Sequence, residues 1–232
     1  MSGEEKPTLE DLTDEKQHIN IGTLTAKFKL QPIANSCETT CITNILHELS
    51  DRFKHPDLHF SEAAINEACG YKAPRGYNTR KLIPGLRDIL RPLGWTPSQE
   101  SRVGHTKLRR VLINKDLSYP LVSLSEEYMR EVLDHRTGNF DDHVVVLFRA
   151  SGQWTVVYDP YGFGSPKTKE KFRTYGAGII PIRTTDFIRY WTHTTLATKW
   201  MFWITKWSPP KRPAPLESYS EVQKAENTVV AA

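Results

Sequence analysis

The chain has 232 residues, 38% of them hydrophobic and 25% charged, with a formal net charge of +4 and a pI near 8.9. That length suits one α+β domain whose core needs no covalent staples. The basic residues lie in short scattered clusters (Arg109–Arg110, Lys167–Lys171, Lys211–Arg212), which argues against a nucleic-acid footprint.

Residues 1–21 are polar and charged and are expected to form a flexible arm. They contain no apolar stretch and so do not form a signal peptide. Asn35 and Ser36 are good helix caps, and CETTCITNILHEL follows them. Cys37, Cys41, Ile45 and Leu49 recur every four residues beside Ile42 and Leu46, the pattern of a wide buried stripe. A second helix is predicted from Ser61 (SEAAINEAC), stopping at Gly70. A third is predicted from Thr79 to Leu93, where Pro84 either kinks it or marks its start. A fourth covers His105 to Leu112.

The second half reads as sheet. Tyr119–Ser123 is a strand candidate, and HVVVLFR (143–149) and WTVVYD (154–159), separated by ASGQ, form a hairpin signal. Gly178–Pro181 and Trp200–Thr205 are further strands, with a short helix over Thr185–Trp191 between them. Helices first and an antiparallel sheet afterwards is the α+β pattern. Residues 208–232 open with SPPKRPAP and are expected to be a disordered tail, leaving 22–207 as the folded domain.

Four residues carry possible chemistry. Cys37 falls at the start of a helix, where unpaired N–H groups and the positive end of the dipole stabilise a thiolate and can donate to an oxyanion. A free cysteine is equally often a small core residue. His143 opens one hairpin strand and Asp159 closes the other. With a three-residue loop the two are directly opposed; with a two-residue loop they fall one position out of register. An Asp beside a His holds its tautomer and stabilises the imidazolium. Asp159 also precedes a proline and could be a turn residue, with Asp141 or Asp142 orienting His143 instead. Gln31, six residues before Cys37, could supply an amide N–H to an oxyanion hole.

Gln31, five residues and Cys37, three residues and Cys41, then His143 with three valines, then Tyr158, Asp159 and Pro160 together resemble the bacteriocin-processing peptidases, a papain-like cysteine peptidase family. The landmarks RPLGW (91–95), the Pro-led strand from Tyr119 and the late Phe187/Trp191 helix resemble it as well. The resemblance covers about residues 25–207 and implies a papain-like fold. It makes Cys37 the nucleophile, His143 the base, Asp159 its orienter and Gln31 the oxyanion donor. It implies a peptide or protein substrate. The chain departs from the family at Glu38, where the family has glycine, and a carboxylate there works against a thiolate. Two alternatives to a hydrolase follow: an acyltransferase using the same cysteine, or an inactive peptidase-like binding module.

The remaining candidates are weaker. Cys41 reads as core, and with Cys69 the three cysteines lack a CxxC pair, so neither a disulfide framework, a metal nor another cofactor is expected. His135 ends a helical stretch (EEYMREVLDH) and ranks below His143 as a base. The most apolar long stretch, Phe187 to Trp207, carries Arg189, His193, Lys199 and Lys206, so a cytoplasmic protein with no membrane or nucleic-acid partner is expected. Oligomeric state is not legible.

Overall fold

The computed structural model describes residues 7–8, 10–16, 20–32, 36–71, 79–135, 142–161, 165–194 and 198–207. The expected tail, the candidate cap Asn35 and the candidate orienter Asp141 lie outside the described residues.

Eight helices are described: α1 (Ile21–Leu24), α2 (Cys37–Phe53), α3 (Glu62–Cys69), α4 (Thr79–Leu90), α5 (His105–Ile113), α6 (Glu126–Glu131), α7 (Pro166–Tyr175) and α8 (Thr184–Thr192). Six strands, β1 (Trp95–Glu100), β2 (Leu121–Ser125), β3 (Asp142–Ser151), β4 (Trp154–Tyr158), β5 (Ile179–Arg183) and β6 (Met201–Lys206), form one sheet in the order β1-β6-β2-β3-β4-β5. Every neighbouring pair is antiparallel. The α+β class read from the sequence is therefore the class observed.

The apolar stripe of α2 lies on the sheet. Cys41, Ile42, Ile45, Leu46 and Leu49 are fully buried, and the Cys41 thiol donates to the Val144 carbonyl of β3 at 3.5 Å. A fully buried aliphatic side chain of this size contributes about 1.5–3 kcal/mol, so the stripe anchors the helix firmly against β3. Cys37 continues the stripe at the helix's first residue, where the core gives out and the side chain is only half-buried.

Three expectations are corrected. Pro84 lies in the interior of α4, the first of its two expected placements, but the helix stops at Leu90, short of the expected Leu93, and gives way to a 3-10 turn over Arg91–Leu93. The helical half also contains a strand, β1, which pairs along its whole length with β6. Its sequence WTPSQE includes a proline and little β-branching, so it hides among loop signals; as a sheet edge it tolerates Pro97. Helix α7 is equally unannounced, because PKTKEKFRTY carries too few apolar residues for a periodicity. A fourth difference concerns the N-terminal arm. Among its described residues Leu12, Asp14 and Lys16 are buried, and Lys16 Nζ donates to the carbonyls of Leu117 and Ser118, both at 2.8 Å. Glu10–Lys16 thus lie on the folded side of the boundary expected at residue 22.

Two glycines matter to what the fold positions. A Cβ on Gly85 would lie 1.9 Å from the Ala68 carbonyl oxygen, so only glycine lets α4 approach α3 this closely. Gly178, at φ +81°, would drive a Cβ into the Tyr158 ring, and its carbonyl accepts the Asp159 N–H at 2.7 Å.

Candidate active site

Cys37, His143 and Asp159 meet at the N-terminal end of α2, where it crosses β3. His143 is the second residue of β3 and is 5% exposed; it lies opposite Leu124 of β2. Asp159 follows the last residue of β4 and is fully buried. His143 Nε2 donates to Asp159 Oδ1 at 2.8 Å, and the Cys37 thiol hydrogen-bonds the same imidazole. Asp142, the alternative orienter, is not needed for this contact.

The hairpin register explains how the two residues meet. The loop is two residues, Gly152 and Gln153, closed by Ser151 opposite Trp154. That register alone would set Asp159 opposite Val146, three residues from His143 and on the other face of the strand. Phe148 is an extra residue in β3: Leu147 faces Val157 while Arg149 faces Val156. This β-bulge shifts the pairing by one, so Val146 faces Tyr158 and Asp159 comes level with Val145. His143 and Asp159 then share a face as diagonal neighbours, rather than as the opposed pair of a three-residue loop.

Asp159 also accepts the Tyr161 N–H through Oδ1 at 2.7 Å and the Tyr128 hydroxyl through Oδ2 at 2.6 Å. The first bond is an Asx turn, so Asp159 both starts a turn and hydrogen-bonds His143. Tyr128 has no sequence signal, since only packing brings α6 beside Asp159. Tyr161 could have been found from its place two residues after an Asp-Pro start. Its ring sits edge-on to His143 at 6.1 Å, and its hydroxyl lies 3.4 Å from His135 Nε2. His135, the weaker base candidate, thus touches Tyr161, which lies between it and His143.

Burial pushes the His143 imidazolium down, but the Asp159 carboxylate and the Cys37 sulfur outweigh it and raise its pKa to about 10. The other two cysteines have no such partner. Burial holds the Cys41 thiol well above its ordinary value and pushes Cys69 up to about 12. Burial also raises the half-buried Glu38 carboxyl to about 7.

The helix end is braced unusually. Ser36 occupies the N-cap position, but its side chain makes no capping bond to the helix N–H groups. It turns instead to Glu62, which also accepts the Thr40 hydroxyl at 3.1 Å and ties α2 to the start of α3. Gln31 is 4% exposed, and its N–H donates to the Pro160 carbonyl at 2.7 Å, fastening the segment before α2 beside Asp159. Its side-chain oxygen is buried with no hydrogen-bond partner among the described residues.

No family model and no curated protein matches the chain. Among solved structures it is similar to a double-glycine-motif protease from an AMS/PCAT transporter, in complex with its leader peptide. The identity is 15% and the TM-score 0.46, over 76% of this chain and 89% of that one. It is also similar to the peptidase domain of Streptococcus ComA, a bifunctional ABC transporter of a quorum-sensing pathway, at 13% identity and TM-score 0.43 over 77% and 98%. The chain has a helix with cysteine at its first residue packed on an antiparallel sheet, with His143 on β3 and Asp159 directly after β4. Among the described residues no helix is long and apolar enough to cross a membrane, and no group of His, Cys, Asp or Glu could hold a metal ion.

Proposed function

We propose that this protein is a cysteine hydrolase that cleaves a peptide or isopeptide bond through a thioester on Cys37. The observation that carries the proposal is the buried His143 held between the Cys37 thiol and the Asp159 carboxylate. In this reading Cys37 gives up its proton to His143, and the thiolate attacks the carbonyl carbon. The oxyanion is met by the Cys37 backbone N–H and the Gln31 side-chain amide. His143 passes its proton to the leaving amine, and the thioester remains. A water then loses a proton to His143 as its oxygen attacks the thioester, releasing the acid and restoring the thiol. Asp159 keeps the imidazole oriented and stabilises its charged form through both steps. The three free cysteines fit a reducing compartment such as the cytoplasm.

Two other readings use the same residues. With an amine in place of water the thioester gives acyl transfer. A half-buried Glu38 directly after Cys37 favours a third reading, a binding module in which the carboxylate suppresses the thiolate. The test is alkylation by iodoacetamide at neutral pH with peptide mapping, followed by product analysis on a peptide library with and without added amine. Preferential loss of the Cys37 thiol with new carboxyl termini supports the hydrolase. Amide products only when amine is present mean acyl transfer. Equal, slow labelling of Cys37 and Cys69 with no product leaves the binding module.

A further inference from the structure

We infer that Tyr128 is a positioning residue of this site: its hydroxyl fixes the Asp159 carboxylate and through it sets how strongly His143 holds a proton. The inference rests on the Cys37–His143 reading above and adds a member that neither sequence nor resemblance marked.

Four observations carry it. The Tyr128 O–H donates to Asp159 Oδ2 at 2.6 Å, while His143 uses Oδ1, so the two bonds occupy opposite oxygens of one carboxylate. With the Tyr161 N–H on Oδ1, the buried carboxylate has three donors and cannot rotate without breaking one. The Tyr128 ring lies nearly parallel to the imidazole, 13° between planes and 6.1 Å between centroids. It therefore walls the side of the site next to His143. Finally, Tyr128 lies on α6, which leaves β2 immediately after Leu124 and Ser125, and Leu124 is the strand partner of His143. The hydroxyl is thus carried on chain continuous with the strand that aligns the base.

The ring is itself held. Tyr128 is fully buried and packs edge-on against Tyr190 at 5.8 Å. The Tyr190 hydroxyl donates to Glu131 Oε2 at 2.7 Å and accepts from Arg189 at 3.1 Å, which binds the same carboxylate. Burial and the Asp159 charge push the Tyr128 phenol well above its ordinary value, so it stays a donor throughout the working range. A merely structural tyrosine would bond any available acceptor; the proposal differs in requiring an effect on the proton held by His143.

That effect has a definite sign. A hydrogen bond to a carboxylate draws off charge, so removing it leaves Asp159 a stronger partner for the imidazolium. Tyr128→Phe should therefore move the His143 titration, followed by its ring-proton NMR signal, upward by about half a pH unit or more. The basic limb of Cys37 alkylation by iodoacetamide should move with it. Replacing Tyr128 with 3,5-difluorotyrosine, a stronger donor on the same ring, should move both downward, and it serves alone if the phenylalanine variant does not fold. Should the unaltered protein show no selective Cys37 alkylation, the Cys37–His143 reading fails and takes this inference with it. Should the unaltered protein pass and the variants lose only thermal stability, with both titrations unmoved, the Tyr128 role alone is wrong.

Discussion

His143 and Asp159 meet, Nε2 to Oδ1 at 2.8 Å, because Phe148 has no partner on β4. The extra residue changes the parity of the strand between the hairpin loop and the site, and parity decides which face a side chain takes. The bulge costs a ladder position but leaves Phe148 buried, in ring contact with Phe28 and Tyr119, so the core holds the shifted register in place.

Asp159→Asn keeps the shape and removes the largest of the interactions that raise His143 against burial. The His143 titration should fall well below about 10, and turnover should drop on the order of 10²- to 10⁴-fold. Folding stability checks the sign. His143 binds its proton more tightly in the fold than in the unfolded chain, so its contribution is complete below about pH 6.5 and is lost as pH rises toward 10. The stability gap between the unaltered protein and Asp159→Asn, measured by urea melts, should accordingly narrow between pH 6.5 and 10.

Iodoacetamide at pH 7 should modify Cys37 first. Cys41 and Cys69 are fully buried with their thiols held up, and should react only on unfolding. Intact mass after a short pulse should show one adduct, and Cys37→Ala should show none. Two or three adducts at equal rates would contradict the site as described.

Glu38→Gln should stabilise the protein at pH 8 and change little at pH 4. Burial raises the Glu38 carboxyl to about 7, so the folded chain binds a proton that the unfolded chain releases near the ordinary 4.5. The cost of the carboxylate therefore grows from about pH 4.5 to 7 and is full above it. Thermal melts of both proteins at the two pH values read this directly. If Glu38 also restrains the thiolate, the same variant should alkylate faster at Cys37 at pH 8.

Deleting residues 1–16 should lower the melting temperature by several degrees. A flexible arm would make no difference, but this deletion strips Leu12 from the core and takes Lys16 from beneath the Leu117 and Ser118 carbonyls. An unchanged melting temperature would return the folded boundary to residue 22.

What the sequence determined by itself is what depends on near neighbours in the chain. The α2 stripe follows from a four-residue recurrence, the Gly70 stop from the need for a left-handed residue, and the β3–β4 hairpin from two β-branched runs about a short loop. Cys37, His143 and Asp159 were legible as candidates because each sits at or next to the end of an element, and Gln31 because it lies six residues before Cys37. The tertiary structure decided what depends on residues far apart. It set the register through Phe148, whose bulge leaves no mark in a run of valines. It brought Tyr128 from α6 onto Asp159 and turned Ser36 from a helix cap into a partner of Glu62. It also drew Lys16 into the body of the fold, against a composition that reads as solvated arm, because two backbone carbonyls more than a hundred residues away lay open to receive it.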